Sequence, residues 1–318
     1  MKKLTAAVIG LTAILAVGCS GTDNSIRVGA ARVGGMYAYF ANAFTQVVEE
    51  DHEDLEIVVK NTAGTAANLR LLSEGYIQLA IAQADVTQDA YNGRGDYEKK
   101  PLQGYSAVAA LYTEACQLIV REDSDIHMVD DLMGHAISVG ESESGTERNA
   151  KEILSIYGLN EKLVDMENYD YTKAAEAMVN GEIDAMFCTS GTQTTVIEEL
   201  AGKCDVKLIS LDEEHIEKLT KAYDTYVPCT IAANTYTNQK EEINTVGVEC
   251  LLLARNDLAE DTVKKLTESL FKHESDIEYA LPMDISLQEE TAVENVTIPF
   301  HTGAAAYYKE QGINVDVE

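Results

Sequence analysis

The sequence predicts an α/β protein made of two related lobes. Short apolar strands alternate with amphipathic helical patterns through most of the chain, which is typical of α/β folds. A strand, a glycine turn and a helix occur at residues 26–48 and again at 136–157. A helix end, a glycine and a strand recur at 72–80 and 178–186, with a similar separation along the chain. Both patterns recur after nearly the same number of residues. This agreement favours two lobes of similar fold over the chance recurrence of a common turn.

The elements of the first half are predicted from hydrophobic periodicity and from the residues that end each run. Strand 26–28 leads through a glycine turn into a helix with an apolar face between Phe40 and Val48. A turn of small residues at 62–65 opens a second helix, and Asp85 is the predicted N-cap of a third. The other predicted strands of this half are 57–59, 79–82, 107–111 and 118–120.

The second half continues the alternation. A short helix at 130–133 precedes strand 136–139, and Thr146 is the predicted N-cap of the helix that follows. Asp212 is the predicted N-cap of a charged helix. The remaining predicted elements are helices 172–178, 195–200 and 262–271 and strands 185–188 and 206–209.

The turn at residues 140–145 is the predicted place for a ligand. It joins a buried strand to a helix with an apolar stripe. The first turn of a helix has unpaired N–H groups and partial positive charge, so a strand, turn and helix of this kind suit a carboxylate or a phosphate. The similar turn at 29–35 is expected to face the same ligand.

Composition and charge exclude some classes of partner. The chain has 318 residues, enough for two ordinary domains, and 46% of them are hydrophobic. The net charge of −30 argues against a nucleic-acid surface, because phosphate backbones are bound by clustered Lys and Arg. It does not determine the charge of a small ligand, since a local site can be positive inside an acidic protein.

The N-terminal sequence predicts an export signal. Lys2 and Lys3 precede an apolar run at 4–17 that is too short to span a membrane. The run ends in a segment that resembles a bacterial lipobox, so we expect a signal peptide over 1–18, lipidation of Cys19 and a polar tether over 19–25. An ordinary cleaved signal with an incidental cysteine is the alternative.

Motifs for metal, redox and hydrolytic chemistry are not found in the sequence. None of the five later cysteines lies in a Cys-x-x-Cys pair, although disulfides stay possible in an exported protein. The six histidines match no zinc motif. The 140–146 turn has no phosphate-loop lysine, and no Gly-x-Ser-x-Gly elbow is present. We therefore expect no metal, no cofactor and no catalysis.

Three arginines lie in or near the predicted ligand-facing turns: Arg32, Arg70 and Arg148. A guanidinium can hold a carboxylate with two parallel hydrogen bonds. The alternative for each arginine is an ion pair with a nearby Asp or Glu, and for Arg148 the 141–147 segment offers several glutamates. Tyr37 is a candidate wall of the pocket, although aromatic residues at helical spacing are more often core.

Several motifs, in order along nearly the whole mature chain, resemble the TAXI-type solute receptors of tripartite ATP-independent periplasmic (TRAP) transporters. They are Gly34-Gly35-x-Tyr37; Asn68-Leu69-Arg70-Leu71-Leu72 with Gly75; Gln83-Ala84-Asp85; Ser144-Gly145-Thr146-Glu147; Gly181-x-Ile183-Asp184-Ala185; Pro299-Phe300-His301-x-Gly303-Ala304; and Tyr307-Tyr308-Lys309-Glu310-x-Gly312.

The resemblance implies a two-lobed type II periplasmic-binding-protein-like fold with a hinge and a ligand cleft between the lobes. We expect residues 26–118 plus 230–318 in the first lobe and 119–229 in the second. The implied protein is an extracytoplasmic, lipid-anchored and monomeric receptor. It delivers a small organic anion, glutamate, glutamine or a related dicarboxylate, to TRAP membrane subunits. The alternative is a receptor for an ABC importer or a signalling partner, which the membrane protein that co-purifies would distinguish.

The expected ligand-binding residues follow from the turns and from the resemblance together. Backbone N–H groups near Gly35, Gly145 and Thr146 would hold the anionic group. Tyr37 would pack on the ligand, and Arg32 and Arg148 are the candidate carboxylate clamps. The expected hydrogen-bonding side chains are Asn68, Gln83, Ser144, Thr146, Thr189 and Ser190.

Overall fold

The computed structural model describes residues 25–317. The predicted signal peptide, Cys19 and nearly all of the tether lie outside these residues. The strands are β1 Ile26–Gly29, β2 Ile57–Lys60, β3 Leu79–Gln83, β4 Tyr105–Arg121, β5 Ala136–Ser138, β6 Asp165–Glu167, β7 Ala185–Ser190, β8 Val206–Ile209, β9 Tyr226–Ile231 and β10 Ile243–Arg255. The helices are α1 Met36–Asp51, α2 Thr65–Ser73, α3 Ala84–Asn92, α4 Gly145–Ile156, α5 Tyr171–Asn180, α6 Thr195–Ala201, α7 Glu213–Ala222, α8 Glu260–Lys272, α9 Glu274–Ala280 and α10 Thr302–Glu310.

The ten strands form one continuous sheet with the order β2-β1-β3-β10-β4-β7-β5-β6. Strands β2, β1 and β3 are parallel to one another, and so are β7, β5 and β6. Strands β10 and β4 lie between these two parallel sets and run antiparallel to each other. Strand β8 pairs with the second half of β4, and β9 pairs with the first half of β10. The sheet therefore serves two lobes that share two long strands.

Strands β4 and β10 are the crossing strands between the lobes. Two separate strands at 107–111 and 118–120 were expected, but β4 is one strand of 17 residues. Its polar Thr113 and Glu114 interrupt the apolar run in the sequence, while β10 pairs with both residues and keeps the strand continuous. Strands β9 and β10 themselves were not predicted, although the apolar run 250–254 in β10 is a strand signal in the sequence.

Three apolar clusters form the core. One fills the first lobe and includes Phe40, Leu252 and Tyr308. The other two cover opposite faces of the second-lobe sheet, since alternate residues of β4, such as Leu118 and Ile119, belong to different clusters. Each lobe therefore buries apolar surface of its own.

The lobe boundaries differ from those expected. Residues from 230 onward were expected in the first lobe, yet Ile231 and Tyr236 pack in a second-lobe cluster and Val248 in the other. Cys116 and Leu118 also pack in the second lobe. The physical reason is that β9 pairs with the first half of β10, so the chain returns to the first lobe only after Val248.

Two predicted helix caps were placed wrongly. Ser144, rather than Thr146, is the N-cap of α4, and its hydroxyl accepts a hydrogen bond from the Glu147 N–H at 3.0 Å. Helix α3 has Gln83 as its N-cap residue, whereas Asp85 lies inside the first turn and is buried. The predicted cap at Asp212 is confirmed, since its carboxylate accepts from the His215 N–H at 3.1 Å.

Within residues 25–317, no helix is both long and apolar enough to cross a membrane. The five cysteines of this part are unpaired, and Cys116, Cys188 and Cys250 are buried. Burial raises the pKa of each of these three thiols.

Candidate functional site

A cavity lies between the two lobes, against the crossing strands. The centre of a water-sized sphere can occupy about 60 Å³ of it, within about 530 Å³ of empty space that includes open solvent. One wall is formed by first-lobe residues at the starts of α1 and α2 and at the end of β3. The other wall is formed by second-lobe residues at the starts of α4 and α5 and at the end of β7. The lining residues are Ala31, Arg32, Gly35, Met36, Tyr37, Ala63, Gly64, Thr65, Gln83, Glu114, Glu141, Ser144, Gly145, Thr146, Asp170, Tyr171, Thr189 and Ser190.

The N-termini of α1, α2 and α4 meet at this cavity. Their N-cap residues are Gly35, Gly64 and Ser144, and all three line it. The Gly64 φ of +117° is one that side-chain-bearing residues rarely adopt. A Cβ there would lie 3.5 Å from the Ser144 Cα, so the two lobes approach closely at this point.

These N-termini provide backbone donors. Helix starts leave N–H groups without intrahelical acceptors. The Ser144 hydroxyl takes the Glu147 N–H, and among the described residues no acceptor engages the N–H groups of Gly145 and Thr146. The three helix dipoles add partial positive charge at one place. The arrangement suits a carboxylate.

Two buried polar side-chain atoms in the cavity wall have no protein partner. They are Gln83 Oε1 and Ser190 Oγ, and each residue is 2% exposed. Leaving a buried polar atom unsatisfied costs about 1–3 kcal/mol. Both atoms belong to lining residues, so a polar ligand in the cavity would satisfy them.

Glu114 lies on crossing strand β4 and is buried in the cavity wall. Its Oε2 accepts a hydrogen bond from the Tyr37 hydroxyl at 2.9 Å, and that hydroxyl is also 3.2 Å from the Thr65 hydroxyl oxygen. Burial raises the pKa of the Glu114 carboxyl to about 8, although the hydrogen bond from Tyr37 and the nearby Gln83 side chain oppose the change. An acidic side chain with this pKa titrates near neutral pH.

Thr146 and Thr189 are bound to their own lobe through Tyr171. The Thr146 and Tyr171 hydroxyl oxygens are 2.6 Å apart, and the Tyr171 hydroxyl donates to the Thr189 carbonyl at 2.8 Å. The Thr189 hydroxyl donates to Cys116 Sγ at 3.6 Å. Both threonines line the cavity as expected, but these side-chain contacts hold the start of α4 against the end of β7.

The three arginines bridge the lobes. Arg32 pairs with Glu141 at 2.6 Å, and Arg70 pairs with Glu143 at 3.0 Å. Arg148 pairs with Asp89 at 2.5 Å and with its helix neighbour Glu152 at 2.8 Å. Each partner in the opposite lobe is an acidic residue far away in sequence.

Two of the expected binding residues do not line the cavity. The Arg148 guanidinium is occupied by Asp89 and Glu152. Asn68 is fully buried, and its amide donates to the carbonyls of Ala30 and Ile81 at 2.6 and 2.8 Å. Asn68 therefore ties β1 to β3 behind the turn instead of facing a ligand.

The other nine expected residues come together around the cavity: Arg32, Gly35, Tyr37, Gln83, Ser144, Gly145, Thr146, Thr189 and Ser190. Their contact with a ligand stays a prediction. Sequence reasoning missed Glu114, Thr65, Asp170 and Tyr171. The signal for Glu114 was present, since it is an acidic residue inside the long apolar run from Tyr105 to Val120.

Arg32→Gln tests whether Arg32 anchors the ligand. The Arg32 side chain is 58% exposed and already paired, and exposed pairs contribute about 0–1 kcal/mol. We expect ligand affinity, measured by calorimetry, to change by no more than about fivefold. Arg121→Gln, which removes the exposed pair with Asp123 outside the cavity, is the matched control. A loss of a hundredfold or more for Arg32→Gln alone would show that its guanidinium clamps the ligand.

Gly145→Ala tests the contact between α4 and the opposite lobe. A Cβ at Gly145 would overlap the Gln83 side-chain amide, which would have to move out of the cavity wall. We expect at least tenfold weaker ligand binding at 25 °C and a melting temperature lower by several degrees, because displacing the buried Gln83 side chain costs about 1–3 kcal/mol. Gly202→Ala is the control, since a Cβ there meets only carbonyl oxygens at 3.5 Å or more. Equal affinities for both variants would place the ligand elsewhere.

Comparison with known proteins identifies the fold and the family. A structure described as a periplasmic transporter is 17% identical, with a TM-score of 0.53 over 81% of this chain and 86% of that chain. A Listeria monocytogenes protein assigned as an L-cystine ABC transporter is 13% identical, with a TM-score of 0.53 over 83% and 98%. An ancestral arginine-binding protein bound to arginine is 13% identical, with a TM-score of 0.51 over 80% and 96%.

These likenesses confirm the predicted fold, the two-lobed α/β fold of periplasmic binding proteins. A family model described as the NMT1-like family matches residues 28–312. This match spans both lobes and both crossing strands. The chain belongs to the NMT1-like family.

Proposed function

We propose that the protein is a solute-binding receptor that captures a small organic acid in the cavity between its lobes. The observation that carries this proposal is the meeting of three helix N-termini with two unpartnered buried side-chain oxygens in one cavity. Backbone N–H groups of Gly145 and Thr146 bind a carboxylate of the ligand. Gln83 and Ser190 bind its other polar groups.

The geometry supports binding more than catalysis. A ligand in the cavity touches both lobes, so contacts to α1 and α2 on one side and to α4 on the other favour the closed arrangement. Periplasmic binding proteins close around their ligands in this way. The hydroxyls of Thr146 and Tyr171 are engaged with each other, and no base among residues 25–317 hydrogen-bonds to either of them in the manner of an activated nucleophile.

The N-terminal sequence and the resemblance to TAXI-type receptors support a protein that acts at a membrane. We propose that the chain is exported, anchored through lipid on Cys19, and acts as a monomer outside the cytoplasm. Its closed form delivers the ligand to membrane subunits of a TRAP transporter. The ordered motifs from Gly34 to Gly312 support this class of partner over an ABC importer.

The first experiment is a ligand screen on the purified protein, unfolded and refolded to remove any bound solute. The probes are the twenty L-amino acids and C4 to C5 dicarboxylates, and the readout is dye-reported thermal unfolding because the chain has no Trp. A ligand at about 100 times its dissociation constant stabilises by about 2.7 kcal/mol, which is a rise of several degrees. We expect such a rise for at least one carboxylate probe. No rise for any probe, with calorimetry also showing no heat, would contradict the proposed function.

A further inference from the structure

Glu114 is a buried acid in the cavity with no cationic partner among residues 25–317. It is 2% exposed, and its Oε2 accepts a hydrogen bond from the uncharged Tyr37 side chain, with the uncharged Gln83 side chain close by. Buried charges are normally paired, because an isolated one is costly. The sequence places this acid on the crossing strand, where both lobes and any bound ligand face it.

In the described part of the chain, no other group that interacts with Glu114 supplies positive charge. The titratable groups that interact with it are neutral or acidic: Tyr37 on α1, Asp85 on α3, Tyr112 and Cys116 on β4, Tyr171 on α5, Cys188 on β7, and Glu249 and Cys250 on β10. Asp85 and Glu249 make ionisation of Glu114 harder. A cation for this carboxylate would have to come from outside the protein.

The rest of the lining does not favour a doubly charged anion. Arg32 is the one Lys, Arg or His among the lining residues of the described chain, and Glu141 neutralises it. Asp170 adds a further acidic side chain. The helix N-termini can stabilise one carboxylate, whereas a second carboxylate near Glu114 would meet like charge.

Glu114 lies near the carboxylate-binding turns. Its Tyr37 partner is in the first turn of α1, and the Tyr37 hydroxyl contacts Thr65, the first residue of α2. The Thr65 hydroxyl accepts from the Gln83 N–H at 3.2 Å, and the Gln83 amide lies against Gly145 of α4. One small molecule can therefore reach both the helix N-termini and Glu114.

We propose that Glu114 is a specificity-determining residue that binds the ammonium group of the ligand, so that the receptor takes amino acids in preference to dicarboxylates that lack an amino group. This inference rests on the proposed function and names its ligand class. The ligand carboxylate lies at the helix N-termini and its ammonium group at Glu114, which matches the two charges of an amino acid zwitterion.

The affinity of the receptor for an amino acid depends on pH through the Glu114 carboxyl. Burial raises the pKa of Glu114 to about 8, so the carboxyl of the empty cleft is mostly protonated at pH 7. An ammonium group favours the ionised form, and binding releases this proton to solvent. Affinity for an amino acid therefore rises with pH, by up to about tenfold per unit below pH 8, and levels off above it.

The test compares matched ligands that differ in one amino group. Calorimetry on the refolded wild-type protein uses the twenty amino acids together with glutarate, succinate and propanoate, the counterparts of glutamate, aspartate and alanine without the amino group. We expect an amino acid to bind best, with affinity that rises from pH 6 to pH 8. Glu114→Gln should weaken this binding at least about thirtyfold and leave binding of the counterparts within about threefold.

Glu122→Gln is the control, since this exposed acid just after β4 neither lines the cavity nor interacts with Glu114. Tighter binding of a counterpart than of any amino acid would overturn the inference while supporting the proposed function. Binding of no probe would overturn both. Should Glu114→Gln fail to fold, the wild-type pH profile decides, because an affinity that is constant from pH 6 to pH 8 contradicts the role of Glu114.

Discussion

The pairing of β4 with β10 determines how the two lobes are joined and where the cleft lies. The two strands pair over residues 105–115 and 247–255 and then continue separately into the second lobe. Their pairing aligns the sheets of the two lobes and closes the inner end of the cleft. A side chain at the crossing point, such as Glu114, is therefore buried by both lobes and still faces the cavity.

Within the cleft, three helix N-termini provide partial positive charge and Glu114 provides an acid that burial makes hard to ionise. The three arginines pair with acids of the opposite lobe, Arg32 with Glu141 in the cavity wall and the other two away from the cavity. The exposed pairs contribute little each. The Arg148 pair with Asp89, about 20% exposed on both sides, is shielded more from water, so removing one partner leaves a poorly solvated charge and costs more than breaking an exposed pair.

Hydrophobic periodicity and turn residues were sufficient to predict most elements and the place of the cavity. The turns at 29–35, 62–65 and 140–145 all open helices that start at the cleft. Periodicity could not predict that β4 passes without interruption through Thr113 and Glu114, since that continuity depends on pairing with β10, which lies far along the chain.

The roles of individual polar residues were harder to predict than the elements. Arg32 and Glu141 are separated by 109 positions, and Arg148 and Asp89 by 59, so the local sequence shows neither pair. Asn68 has the polarity of a ligand contact, but its partners are backbone carbonyls that only the folded sheet brings together. Burial likewise distinguishes Glu114 from the many surface acids of a chain with net charge −30.

A crystal structure of the protein with the tightest-binding amino acid would show directly where the ligand lies. We expect ligand density between the lobes, with carboxylate oxygens in hydrogen-bond distance of the Gly145 and Thr146 N–H groups and with the ammonium nitrogen beside Glu114. Density outside this cavity, or a ligand whose carboxylate lies on the Arg32 guanidinium with Glu114 uncontacted, would contradict it.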